Sequence, residues 1–209
     1  IELQQSNALA WYGKAYCYFY LHMKDECLST IDQAIKVCCN DMSGDRNDAW
    51  LLWNFKIADC ASVHDWQGGI DIVNQMIELY PEAPDSQKSQ MWENKAVFYK
   101  NMHQYNEAIY AYGKALQYYP KNYKNWKVMG ELLGQVGNMD ESLKSFYKAK
   151  EYCELFYQTY PDRDIQNNGK SAKELDLLLI QGCIDNTDDY IKSHAISSTN
   201  QIENNNLGT

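Results

Sequence analysis

The chain has 209 residues, 45% hydrophobic and 22% charged, with a net charge of −9, which is the make-up of a folded chain able to bury a substantial core. Its acids and bases are unevenly spread: 13 and 6 over residues 1–88, seven and nine over 89–156, eight and four over 157–209. No stretch is basic enough to hold a phosphate backbone, which excludes nucleic acid as the expected partner, and no run of 18 apolar residues is present to span a membrane. No basic, apolar, small-residue leader is visible, and the first residue is Ile1 rather than Met. The expectation is therefore a segment of a longer or processed protein, in an intracellular and cytoplasmic setting.

Residues 1–7 read as the end of an upstream segment. Ser6 or Asn7 then caps a helix to about His22, with Trp11, Ala15 and Tyr18 at i, i+4 and i+7. Asp25 opens a second helix with Ile31 and Ala34, ending near Cys39, and 40–47 is a polar loop. A second helical pair occupies 50–83, marked by Trp53, Gly69, Val73 and Pro81; Gly68 and Gly69 weaken the first turn of its second helix. Pro81 and Pro84 bar helix continuation before the third pair, 89–122. That pair carries Trp92, Ala96 and Tyr99 on its first helix and Ala108, Tyr112 and Ala115 on its second, closing at Pro120. The fourth, 123–156, carries Trp126, Gly130, Leu133, Phe146 and Ala149. Its second helix overruns, with Leu143, Phe146, Tyr147, Cys153 and Phe156 holding a stripe as far as Tyr160-Pro161. Residues 162–170 read as a loop. Ser171-x-x-Glu174 is a capping box opening a last helix, with Leu175, Leu178, Leu179 and Cys183 on one side. Residues 195–209, mostly Ser, Thr, Asn and Gln, read as a flexible polar tail.

The third and fourth pairs superimpose at a constant offset: Trp92 on Trp126, Ala96 on Gly130, Tyr99 on Leu133, Tyr112 on Phe146, Ala115 on Ala149, each 34 residues apart. Small residues stand where helices cross closely and aromatics fill the space beside them. One such hairpin cannot bury its own apolar face, so units must stack. The order and spacing resemble the tetratricopeptide repeat, a 34-residue helix–turn–helix unit. The resemblance implies an all-α fold, a right-handed superhelical array of four hairpins (8–41, 50–83, 89–122 and 123–156). A loop and C-terminal capping helix at 161–194 would follow. It also implies a non-enzymatic scaffold or adaptor that binds a protein or peptide partner, as part of a multi-subunit complex.

In that family, positions 2, 5, 9 and 12 of each first helix line a concave groove. By this resemblance the groove is lined by Leu9, Tyr12, Tyr16 and Phe19, then Leu51, Asn54, Ala58 and Ala61. Gln90, Glu93, Val97 and Lys100 follow, then Lys124, Lys127, Glu131 and Gly134. One end is aromatic and the other charged. Of the family's carboxylate clamp only Asn94 and Lys124 match; Asn54, Ala58 and Val128 do not supply the rest.

Catalytic and metal signals are weak. The seven cysteines include no CxxC pair, and His22, His64, His103 and His194 are scattered, so no zinc spacing is matched and neither metal nor cofactor is expected. The odd cysteine count reads as reduced thiols inside helices. Cys60 and His64 are four apart, but Cys60 sits at a core position where a thiolate is disfavoured. Pro120-Lys121-Asn122-Tyr123-x-x-Trp126 is similar to a repeat motif of protein prenyltransferase alpha subunits. It occurs once and lacks its partner motif. The alternative reading it supports is a helical subunit of an enzyme, or a regulatory domain fused to a catalytic one.

Overall fold

The computed structural model describes residues 8–21, 23–40, 46–164, 166–167 and 170–206. The segment 1–7, the middle of the 40–47 loop, His22 and the side chains of Cys38 and Cys39 lie outside the described residues. Nine α-helices follow one another among those described: α1 Ala8–Tyr20, α2 Lys24–Asn40, α3 Arg46–Ser62, α4 Trp66–Leu79, α5 Asp85–Asn101, α6 Tyr105–Tyr118, α7 Tyr123–Gln135, α8 Met139–Thr159 and α9 Ala172–Asn206. They form two compact units, Ile1–Glu82 and Ala83–Thr209.

The turn inside each hairpin is built the same way four times. Counting from the marker tryptophan, the amide twelve residues on donates to the carbonyl seven residues on: Met23 to Tyr18, Asp65 to Cys60, Gln104 to Tyr99 and Asn138 to Leu133, each at 2.9 Å. This is the 6→1 bond of a Schellman helix end, which requires a left-handed residue just before the donor. His64 (φ +59°), His103 (φ +59°) and Gly137 (φ +84°) fill that place. Two histidines that stand out in the sequence as potential chemistry thus serve as helix terminators.

The other stop is a Tyr-Pro pair. A residue before proline is pushed out of the helical region, and Tyr80, Tyr119 and Tyr160 cap α4, α6 and α8 with φ between −123° and −134°. The second-helix start of α4 is capped by Asp65, whose carboxylate accepts from the Gly68 amide at 3.0 Å. A Cβ on Gly68 would run into that carboxylate, so the glycine that weakens this turn is also what admits its cap.

In the first unit, Ala15, Ile31, Ala34, Leu52, Val73 and Met76 are fully buried. The Cys27 thiol donates to the Ala15 carbonyl at 3.2 Å, marking the close approach of α1 and α2. In the second unit, Ala96, Ala108, Ala115 and Ala149 are wholly buried. Across the α7–α8 crossing, a Cβ on Gly130 would lie 2.8 Å from the Phe146 ring, so only glycine lets that ring seat. The Ser142 hydroxyl donates to the Gly130 carbonyl at 2.7 Å in the same crossing.

The C-terminal region differs from the sequence reading in three places. Within the stretch read as loop, Gln166–Asn167 pairs antiparallel with Lys170–Ser171. The backbone is helical through Asn206 rather than becoming a flexible tail at 195. No proline or glycine occurs between Cys183 and Asn206 to stop it, and a helix already nucleated by packing propagates at little cost. The third difference concerns which side of α9 is buried. The capping box forms, with Ser171 N donating to Glu174 Oε2 (2.8 Å) and Glu174 N to Ser171 Oγ (3.1 Å). From there Ile180 and Ile184 are buried with Cys153 and Tyr157, and Leu177 and Cys183 pack beside them. Leu175, Leu178 and Leu179 are 37%, 54% and 60% exposed. What turns the helix this way is Asp176, whose carboxylate accepts from the hydroxyls of Tyr123 (2.6 Å) and Tyr157 (2.8 Å).

Candidate functional site

Helices with a period near four place a row of side chains along one face, and α1 uses that to line up rings. Tyr12 stacks on Tyr16 with centroids 6.0 Å apart, and Tyr16 meets Tyr20 edge-on at 4.7 Å. The Tyr16 and Tyr20 hydroxyls are 2.9 Å apart, and that bond pushes the Tyr16 phenol above its ordinary range, its neighbour's charge adding to the effect. Tyr12 also meets Phe55 of α3 edge-on at 5.8 Å. Leu51, on the same helix as Phe55, is 38% exposed. Asn54 is half-buried, its amide donating to the Trp50 carbonyl at 2.7 Å. The side chains of Leu9 and Phe19 lie outside the described ones. The ladder is therefore Tyr12–Tyr16–Tyr20 with Phe55 against it. Phe55 and Tyr20 escaped the sequence reading because neither stands at one of the four family positions; their i+4 and cross-helix relation to Tyr16 and Tyr12 was the available signal.

The second unit presents polar groups. Glu93 on α5 accepts through Oε2 from the side-chain amides of Asn122 (3.2 Å) and Asn125 (3.1 Å). Asn125 is buried, and Asn122 caps α7 by accepting from the Asn125 amide. Glu93 thus ties α5 to the start of α7, at the edge of an open cleft of about 330 Å³ shared with Ser86, Gln90, Asn94 and Tyr119. Gln90 is exposed at this rim. Val97 packs against the core formed by Ala96, Ala108, Ala111, Tyr112 and Leu132. Lys100 is half-buried near the end of α5, and Lys124 is exposed with its ammonium 5.9 Å from the Tyr123 ring. Lys127 and Glu131 form an ion pair one turn apart on α7. Both act on the Cys183 thiol of α9, which burial pushes up, Lys127 opposing and Glu131 reinforcing. The sequence-derived residues of the second unit therefore sort into two groups: Gln90, Glu93 and Lys124 border open cleft or solvent, whereas Lys127 and Glu131 lie beside the closing helix.

The residues weighed for chemistry take structural places. The Pro120–Trp126 motif holds a turn, with the Trp126 indole donating to the Pro120 carbonyl at 2.7 Å. The Cys60 carbonyl and left-handed His64 belong to the repeat turn. Cys17, Cys27, Cys153 and Cys183 are in no disulfide among the described residues. Burial and the nearby Asp176 carboxylate push Cys153 up to about 12, the reverse of an activated nucleophile. Among the described residues, no group of three or more His, Cys, Asp or Glu stands close enough to hold a metal, and no helix is long and apolar enough to cross a membrane.

No family model matches the sequence, and no curated protein matches it. Solved structures do. MamA shares 16% identity over 74% of this chain and 83% of its own, with a TM-score of 0.58. PcrH, solved in complex with the chaperone-binding region of PopD, shares 12% over 71% of this chain and 98% of its own, TM-score 0.55. The TPR2B domain of yeast Sti1, solved as a complex with pHsp70, shares 14% over 66% of this chain and 94% of its own, TM-score 0.50. At such identities the likeness is one of fold.

Proposed function

We propose that this chain, whose fold is that of the tetratricopeptide-repeat proteins, is a non-enzymatic scaffold that holds a segment of a partner protein on its first helices. The observation that carries the reading is the Tyr12–Tyr16–Tyr20 ladder. It is an ordered aromatic row with Tyr16 at 43% and Tyr20 at 63% exposure. Rings with a polar tip are suited to a surface that is wet when empty and dry when bound. Tyrosine is also among the residues that dominate interface energetics, with anchors contributing about 1–2 kcal/mol or more when desolvated. Fold supports the same conclusion by analogy: PcrH and the Sti1 domain were solved with a protein segment bound. The second unit has polar groups of its own, Gln90, Glu93 and Asn94, around one open cleft.

The test is affinity capture with the Tyr12→Ala, Tyr16→Ala double variant beside the parent chain. Tyr16 is exposed whereas Tyr12 is half-buried against Phe55, so the double variant is expected to lose captured protein with some loss of melting temperature, and Tyr16→Ala alone to weaken capture with the melting temperature nearly unchanged. Unchanged capture would remove the ladder from the binding face.

A further inference from the structure

Ser86, Gln90 and Asn94 recur every fourth residue on α5 and so form one row along it. With Tyr119 they line the open cleft of about 330 Å³ that Glu93 borders, and among the described residues lining it Glu93 alone is charged. The two oxygens of this half-buried carboxylate are used unequally. Oε2 accepts from the side-chain amides of Asn122 and Asn125, which fills its two lone-pair positions. Among the described residues, no donor is bonded to Oε1, no lysine or arginine pairs with Glu93, and no buried side-chain oxygen lacks a partner. Oε1 therefore lies open to solvent at the cleft. The bases of the neighbourhood are turned elsewhere. Lys88 and Lys124 hold their ammonium groups 5.8 and 5.9 Å from the Tyr118 and Tyr123 rings, Lys127 pairs with Glu131, and Lys121 lines a neighbouring cleft.

Two neutral amides orient the carboxylate but leave its charge uncompensated. Which cation fits follows from the oxygen that remains. An arginine fork asks for both carboxylate oxygens side by side, and Oε2 is already filled. An ammonium is a point charge with three donors that turn freely. One donor can go to Oε1 and the others to the Asn94 side-chain carbonyl and the Ser86 hydroxyl. The exposed Tyr119 ring beside them offers a surface on which methylene groups can rest. We propose that this cleft takes the ε-ammonium of a lysine in a partner's segment, with Glu93 as its charge partner, Asn94 and Ser86 as neutral acceptors and Tyr119 along its stem. Asn122 and Asn125 are positioning residues that hold Oε2. The inference rests on the reading of the chain as a scaffold for protein segments, and it does not depend on the α1 ladder.

The experiment is retention of capped heptapeptide pools on the immobilised full chain, each pool random except for a fixed central lysine, Nε-acetyl-lysine, arginine or leucine. The parent retains the lysine pool about tenfold above the leucine pool, the arginine pool less, and the acetyl-lysine pool no more than leucine. Glu93→Gln keeps an oxygen for Asn122 and Asn125 and the parent's melting temperature, and it brings the lysine pool down to the leucine level. Asp85→Asn removes the same charge from an exposed site on the same helix outside the cleft, and it keeps the preference. Equal retention of the lysine and leucine pools overturns the proposal. So does arginine retained as well as lysine, which is what the net charge of −9 alone would give, or a lysine preference that survives in Glu93→Gln. Acetyl-lysine retained like lysine overturns it too, on the parent chain and without any variant. The pools read this cleft and capture by Tyr16→Ala reads the ladder, so either can fail while the other holds.

Discussion

In the hairpin α5–α6, the second helix ends at Tyr118 because Tyr119 takes an extended conformation before Pro120. In the hairpin α7–α8 the equivalent positions, 34 residues on, are Cys153 and Glu154, and the helix continues to Thr159 before Tyr160-Pro161 stops it. Up to that point the two are the same unit, with matching crossings at Ala115 and Ala149 and matching turn bonds at Gln104 and Asn138. The displaced proline alone produces the difference. It adds more than a turn of helix carrying Cys153, Phe156 and Tyr157, and that added face is what α9 covers. A repeat array is thus ended by a single shift in where its terminator stands, and the ending helix is recruited by the surface so created.

The strongest perturbation of this contrast is Ile180→Ala, which opens a cavity where α9 meets α8. A loss of about 2–5 kcal/mol is expected, read by chemical denaturation. Hydrogen exchange should speed up in α8 and α9 while α5 and α6 keep their protection. Equal loosening of α5–α6 would mean that the terminator region is no separate layer.

Asp176→Ala should follow at about 1–3 kcal/mol, since two buried phenols lose their acceptor. The same cluster sets an alkaline limit. Burial and the hydrogen bond to Asp176 hold Tyr157 up to about 12, and raise Tyr123 further. Unfolded tyrosines release their protons near 10, so between pH 10 and 12 the unfolded chain binds fewer protons than the folded one and stability falls as pH rises. Stability measured across that window should show the fall, and Tyr157→Phe should flatten it. An unchanged slope in that variant would remove Tyr157 from the cause.

A smaller pair of changes tests the turns. Gly137→Ala puts a side chain on a left-handed residue (φ +84°) and should cost about 1 kcal/mol. His103→Gly relieves the same strain at φ +59° and should gain a comparable amount. A stabilised Gly137→Ala would contradict the shared turn geometry.

Much of this was legible in the sequence because it is periodic. Trp92 and Trp126, the buried alanines and the Ser171–Glu174 box each follow a local rule. The packed side of α9 was not, because Asp176 counts as a solvent-facing residue in any hydrophobicity pattern. Only the two tyrosines of α7 and α8, 53 and 19 residues away, turn it inward. With that side discounted, Leu175, Leu178 and Leu179 read as the buried stripe. The left-handed histidines were hidden for a similar reason, since glycine is the usual signal for that conformation and only Gly137 shows it. In the candidate face, positions 12 and 16 of α1 were legible from family spacing, whereas Phe55 joins the ladder only through the packing of α3 on α1.

Which helices meet the partner decides whether α1 is the binding face. Hydrogen exchange of the chain, alone and with its captured partner, reads this helix by helix. Added protection in α1 and α3, with α2 and α4 unchanged, is the predicted result. Protection confined to the second helices, or none on α1, would contradict it.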